Sequence, residues 1–415
     1  MTRNFDVVVL GAGIVGVCVA LHLQMRGRHT ALLDRSQPGM GTSFGNAGLI
    51  QNEAVMPYLF PRSIADVLRY ARNRSIDAAY QPSALPGLAA PFYRYWRNSH
   101  PDRALAIARY RAPLFDRCIA DHRELAEAAG AMDLMRAGGW SKIFRSQARL
   151  DSAIAEAELE AQQLGIPFVA MDAAAVADHE PDLARDLVGG IHWPGPLSVP
   201  DPYALTKAYV DLFERNGGSV LQGDARSLTC DSGWRLVTDA GPMAAADVVV
   251  ALGPWSPVVT QILGYSAPFF VKRGYHRHFA PGEGRLGRPI LDAENGYILA
   301  PMRQGIRLTT GAEFAHRDAP PHPVQIARAL PKARHLFPKL GEPVDPKAWM
   351  GSRPCLPDML PVIGPAPGQR RAWFAFGHAH HGLTLGPTTG KILADMIEGK
   401  ELEIDPVPFR ADRFG

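Results

Sequence analysis

Apolar residues run almost unbroken from Phe5 to Leu10, the pattern of a strand buried on both faces. Gly11, Ala12 and Gly13 interrupt the run. Apolar positions then recur at helical spacing from Ile14 to Arg26, and Gly27 is suited to close that helix. A second apolar strand, Thr30-Ala31-Leu32-Leu33, ends on Asp34. The nineteen residues from Val7 to Met25 contain no Asp, Glu, Lys or Arg, which is the length of a membrane span or a leader's apolar core. The glycines inside divide the stretch into strand, turn and helix, so neither is expected. Residues 248–265 are equally free of such charges, but Pro254 and Pro257 break them.

Farther along, Arg62 to Glu124 reads as helices punctuated by proline, and Asp151 to Leu164 reads as an amphipathic helix stopped by Gly165. Asp201-Pro202 opens another helix that ends near Gly217. Strand patterns follow at Gly218-Ser219-Val220, Arg235 to Thr238 and Asp247 to Gly253, as if the chain returns to the first sheet. Pro268 to Thr310 is rich in strand residues, and Ala372 to Gly377 leads through a glycine-rich loop to a helix over Thr388–Glu398. The expected fold is α/β: a discontinuous Rossmann-like domain (1–60, 196–262 and 346–415) paired with a mixed-sheet α+β domain (61–195 and 263–345).

With 415 residues, 47% hydrophobic and 20% charged, the chain has the composition of a folded protein of two or three domains. Its 40 glycines and 36 prolines stay below the level of low-complexity chains, and a net charge of +3 argues against a dedicated nucleic-acid binder. Cys18, Cys118, Cys230 and Cys355 are widely separated, which supports neither a zinc cluster nor a disulfide framework and suits a reducing compartment. The near-neutral total conceals a basic region. Between Arg62 and Arg123 there are eleven Arg and no Lys against five Asp, with an aromatic cluster at Phe92-Tyr93-Arg94-Tyr95-Trp96-Arg97. Solvated helix faces account for this arrangement; the alternative is a peripheral membrane or partner-protein contact through 62–123.

The turn after the first strand spells G-x-G-x-x-G at Gly11, Gly13 and Gly16. The first glycine makes the turn, the second admits a pyrophosphate to the backbone, and the third lets helix and strand pack closely. Asp34 follows about twenty residues later, where a carboxylate can take ribose hydroxyls. The whole unit points to an adenine dinucleotide. The same spelling at Gly282, Gly284 and Gly287 is flanked by Pro281 and Pro289 with no helix behind it, so a loop is expected there. Gly41 to Ile50 supplies hydroxyls and exposed amides suited to a pyrophosphate, a ribityl chain and a flat ring.

Taken with Gly45-Asn46-Ala47-Gly48, Ala251-Leu252-Gly253-Pro254-Trp255-Ser256, Trp349-x-Gly351-x-Arg353-Pro354 and Pro357-Asp358-x-x-Pro361-x-Ile363-Gly364, the sequence resembles the D-amino-acid oxidase and dehydrogenase superfamily. The likeness is greatest to the bacterial D-amino-acid dehydrogenase catalytic (small) subunit and to glycine oxidase. It implies FAD, held without a covalent bond because Cys355 is not at the spacing of cysteine-linked members. By that resemblance Gly11, Gly13, Ile14, Val15 and Gly16 surround the pyrophosphate, while Asp34 takes the adenosine ribose and Arg35 and Ala225 lie near adenine. Thr42, Ser43, Asn46, Ala47, Gly48 and Leu49 follow the pyrophosphate and ring. Gly253, Gly351, His381, Gly382, Leu383 and Thr384 complete the cofactor set, with the start of the last helix facing flavin N1 and O2.

Arg353 is expected to grip the substrate carboxylate through its planar fork. Tyr297 is expected to assist, with a core strand tyrosine as the alternative. His380 is the candidate for proton transfer. Three histidines near residue 380 and the pair His276-x-His278 lack a carboxylate or cysteine at zinc-like spacing, so no metal is expected.

The implied activity is FAD-dependent oxidation of D-amino acids, with D-proline-type secondary amines as one option, by hydride transfer from Cα to flavin N5. A quinone or other carrier is the expected acceptor, ahead of oxygen, and nucleic acid is not an expected partner. The expected location is cytoplasmic, with attachment to the inner face of the cell membrane as an option. A glycine or sarcosine oxidase-like enzyme using oxygen is one alternative. A flavin-binding accessory subunit without turnover is another.

Overall fold

A computed structural model describes residues 2–231 and 233–414. The first strand, Arg3–Leu10 (β1), leads through the glycine turn to helix Ile14–Met25 (α1) and strand Thr30–Asp34 (β2). β1 pairs in parallel with β2 on one side and with Gly241–Val250 on the other. Ser219–Gln222 extends the parallel array beyond β2, and Ala372–Phe376 extends it beyond Gly241–Val250. Alternate β1 residues serve two cores: Val7 and Val9 pack with α1 and the last helix, and Val8 and Leu10 pack on the opposite face. Burial on both faces is why this strand reads as a continuous apolar run. The chain leaves β1 toward β2 and later returns on the other side, which opens a crevice at the strands' carboxyl ends. The nineteen-residue uncharged run is thus β1, the turn and α1, and among the described residues no helix is long and apolar enough to cross a membrane.

The second sheet has ten strands and is mostly antiparallel. Its central strand, Phe270–Phe279, pairs with Gly305–Thr309 and with Trp349–Cys355. Trp349–Cys355 lies within 346–415, the segment expected to go with the nucleotide-binding pieces. Trp349–Cys355 is hydrogen-bonded along its length to the second sheet, while Val362–Pro365 and Ala372–Phe376 join the first.

The 62–124 region forms helices Ile64–Ala71, Leu85–Asn98 and Pro101–Ala129. Helix Gln147–Leu164 starts before the expected Asp151. Helix Pro202–Arg215 is capped by Asp201, whose carboxylate accepts from Ala204 N at 3.0 Å. The 281–289 stretch with the second glycine pattern is irregular, as expected for a loop. The final helix differs from expectation: it spans Gly382–Ile397 and contains Pro387. Proline cannot donate to the carbonyl four residues back, Leu383 O. His122 Nε2, on Pro101–Ala129, lies 2.7 Å from that oxygen and supplies the missing hydrogen bond, so the helix continues through the proline.

Candidate active site

A cavity of about 850 Å³ runs from the glycine turn to the face of the second sheet, a size suited to a cofactor together with a small substrate. At one end Gly11 has φ +105°, and a Cβ there would stand 2.5 Å from Ala251 O. Gly16 faces away from the cavity into the strand–helix contact, where a Cβ would come within 1.8 Å of Gly11 O. Ser43 Oγ accepts from Ile14 N at 2.9 Å, which fixes the small-residue loop against the start of α1. Asp34 accepts from Ala12 N (2.8 Å) and Ser36 N (2.9 Å), so both oxygens are oriented and retain lone pairs for hydroxyl donors. Arg35 lies over the Trp255 ring at 5.0 Å, beside Ala225 and Gly253 on the cavity wall.

In the middle, the Trp349 ring is wedged between two glycines: a Cβ on Gly45 would lie 1.8 Å from it and one on Gly351 2.1 Å. Gly13, Ile14, Val15, Thr42, Asn46, Ala47, Leu49, Gly382 and Leu383 also line the cavity. A glycine-rich turn at a helix start, an oriented carboxylate after β2 and a narrow glycine-lined passage fit an FAD. Gly48 and Thr384, expected in this set, do not face the space. Gly48 packs on Val199 O, and the Thr384 hydroxyl bonds Leu49 O (3.3 Å) and Gln51 N (3.2 Å), tying the last helix to the loop after residue 45.

At the far end stands Arg353. Its guanidinium donates to Gly311 O (2.8 Å) and Thr310 O (3.4 Å) and faces no carboxylate within ion-pair distance among the described residues. Gly274 makes room for it, since a Cβ there would lie 2.5 Å from its Nη2. Lys272, in the same strand as Gly274, also lines the cavity. His380 meets Tyr58 edge to face at 4.7 Å. Burial, and then the charges of Arg353, Arg111 and Lys272, push His380 well below its ordinary pKa, so its imidazole is neutral at pH 7. Burial pushes Tyr58 upward, keeping its hydroxyl protonated. Tyr58 is 60% exposed by area and lines the cavity.

Two expected side chains are elsewhere. Tyr297 is 1% exposed and does not line the cavity; its hydroxyl donates to Asp292 at 2.9 Å, and Asp292 also pairs with Arg145 at 2.9 Å. Its neighbour Ile298 lines the cavity, and adjacent strand residues face opposite sides, so Tyr297 belongs to the core. His381 is also turned away. Its Nδ1 lies 3.0 Å from Arg111 Nη2, and its ring meets Phe115 edge-on at 5.0 Å.

Arg111 is 2% exposed with no carboxylate at ion-pair distance among the described residues, and burial pushes its pKa down to about 9, so it remains cationic at neutral pH. Among the described residues no three His, Cys, Asp or Glu are placed to hold a metal. His278 is held by Asp345 (2.8 Å) and Arg307 (2.9 Å), and His276 stacks on Trp349 at 4.8 Å. Sequence reasoning missed Tyr58, Lys272 and Gly274; the period-2 pattern of 270–279 places Lys272 and Gly274 on one face, but nothing local says which face meets the cavity.

Comparison with known proteins agrees with this geometry. Residues 6–396 match the family described as FAD dependent oxidoreductase (DAO). A D-amino-acid oxidase of Bradyrhizobium diazoefficiens is 29% identical, with 100% of each chain covered. A D-amino acid dehydrogenase of Cereibacter sphaeroides is 30% identical over 98% of this chain and 95% of its own. Glycine oxidase from Geobacillus kaustophilus shares the fold, with a TM-score of 0.77, 24% identity and 99% of both chains covered. The glycine turn, the oriented Asp34 and the full-length match together make this chain a member of the DAO family of FAD-dependent oxidoreductases.

Proposed function

We propose that this protein oxidises D-amino acids to imino acids, which water hydrolyses to oxo acids and ammonia. The observation that carries the reading is Arg353, a guanidinium on the cavity wall bonded, among the described residues, only to backbone carbonyls. It has donors to spare for a carboxylate, and charge-assisted forks of this kind are the strong ones. The names of the relatives support the D configuration.

FAD, when bound, supplies the hydride acceptor. Gly11, Gly13, Ser43, Asp34, Arg35, Asn46, Ala47, Gly351, Gly382 and Leu383 would hold it. Arg353 fixes the carboxylate and thereby the direction in which the Cα–H points. Tyr58 takes the assisting place first expected of Tyr297, its neutral hydroxyl donating to the same carboxylate. The cations around the pocket favour the neutral amine over the ammonium form, and the neutral amine is what releases Cα–H as hydride. Neutral His380 accepts a hydrogen bond from that amine.

The electron acceptor in this reading is a quinone or similar carrier. Helix Ile64–Ala71 supports attachment to a membrane or partner: none of its residues is buried, Ile64 is 79% exposed, and Val67 and Leu68 are exposed beside Arg69. For the domains, the partition above with 349–355 moved to the substrate side is the one we adopt.

Purified holoprotein, mixed without oxygen with D-amino acids, L-amino acids and N-methylglycine, should be bleached by the D series. Arg353→Ala should raise the half-saturating concentration at least about tenfold, from the loss of a charged hydrogen bond. Unchanged saturation would refute the assignment. Turnover with oxygen against turnover with a quinone separates the dehydrogenase from an oxidase.

A further inference from the structure

The strand Phe270–Phe279 and the strand Trp349–Cys355 are paired so that Lys272 lies directly opposite Arg353. Residues directly opposite in an antiparallel pair project from one face with their Cβ atoms close together, and like charges in that arrangement repel. Both line the cavity, and neither takes part in an ion pair among the described residues. Two cavity-lining carboxylates, Asp77 and Asp292, are already matched, Asp77 by Arg69 (3.1 Å) and the Tyr70 hydroxyl (2.8 Å), Asp292 by Arg145.

The two cations also lean apart. Arg353 lies over Gly274, toward Thr310 and Gly311. Lys272 donates to the Tyr95 hydroxyl at 2.9 Å and sits 4.4 Å from the centre of that ring. Tyr95 in turn donates to the backbone carbonyl of Tyr58 at 2.5 Å, so the ammonium is anchored beside the residue that packs on His380. Lys272 keeps two further N–H donors. An ammonium and a guanidinium side by side, diverging, and unmatched by protein acid form a site for two anionic groups on one ligand.

We propose that the substrate is an amino acid with a second acidic group, its α-carboxylate on Arg353 and its side-chain acid on Lys272. This deepens the amino-acid oxidation proposed above and rests on it. It assigns Lys272 as the residue that sets side-chain preference.

The test uses holoprotein and two probes. First, unreactive acids are titrated against the flavin's visible spectrum: malonate and succinate against acetate and propionate. The dicarboxylates should bind about ten- to a hundredfold more tightly, the effect of one added charged hydrogen bond. Lys272→Met should bring that ratio close to one, and Lys272→Arg should keep it. Second, the rate of flavin bleaching without oxygen is compared for D-aspartate and D-glutamate against D-alanine and D-norvaline; kcat/KM should favour the acidic pair, and Lys272→Met should erase the difference.

Equal affinity for mono- and dicarboxylates in the unmodified protein would overturn the proposal, a result that needs no variant. So would an equal loss for both classes in Lys272→Met, which would place both cations on a single carboxylate. If no amino acid bleaches the flavin yet the dicarboxylate preference holds, the oxidation reading fails while the two-anion site stands.

Discussion

Gly274→Ala tests the carboxylate anchor without changing any charged residue. The new Cβ would stand 2.5, 2.8 and 3.0 Å from Arg353 Nη2, Cζ and Nη1, where ordinary contacts are 3.4–4 Å. The guanidinium must therefore withdraw by roughly 1 Å, which strains its bond to Gly311 O and moves its free donors off the carboxylate position. Losing one charge-assisted hydrogen bond costs about 1.5–3 kcal/mol, so affinity for a carboxylate should fall about ten- to a hundredfold. Gly274 does not have positive φ, so alanine suits its backbone and the protein should fold and retain FAD. The assay is titration of the holoprotein with a substrate-like acid, followed by flavin absorbance, with thermal unfolding in parallel. An unchanged dissociation constant in a folded, flavin-loaded variant would refute the placing of the carboxylate on Arg353.

Glu53 gives a pH prediction: it is buried, accepts from Trp140 Nε1 and Gln51 Nε2 at 2.8 Å each, has no cation beside it, and burial pushes it up from 4.5 to about 7. The folded state keeps a proton that the unfolded chain has released between those values, so stability is full below about pH 4.5 and falls through the window by about 3 kcal/mol in total. Glu53→Gln should be more stable than the parent at pH 8.5 and equal to it near pH 4.5 in urea unfolding; the same difference at both would contradict the account. His122→Leu should lower the urea midpoint by the equivalent of about 1–3 kcal/mol, because Leu383 O loses the donor that stands in for the N–H Pro387 lacks. An unchanged midpoint would show that the helix start needs no such donor.

The nucleotide half was legible because its signals are local. Apolar β1, the glycine turn and Asp34 lie within the first 34 residues, and Gly11 and Gly16 answer steric demands that nearby backbone creates. The place of Arg353 on the cavity wall was legible through its motif. Tyr297 was not, because strand alternation gives two faces without saying which meets the cavity, and Asp292, its cross-strand partner, had no mark in the sequence. Lys272 and its register with Arg353 depend on pairing segments some eighty positions apart. The true start of the last helix was hidden by Pro387, whose cost is met by His122 from a distant helix.

Trp349–Cys355 has a mechanical meaning beyond its hydrogen bonds. It carries Arg353 as part of the ten-stranded sheet, while the glycine turn and Asp34 belong to the other. The span between the proposed substrate anchor and the nucleotide anchor thus follows from how the two sheets seat against each other, and the Trp349 ring packs at that seam against Gly45 and Gly351. In the proposed reading, alignment for the reaction depends on a contact that need touch neither the substrate's carboxylate nor the nucleotide's phosphates. A change of thickness there would detune the distance while leaving both grips intact.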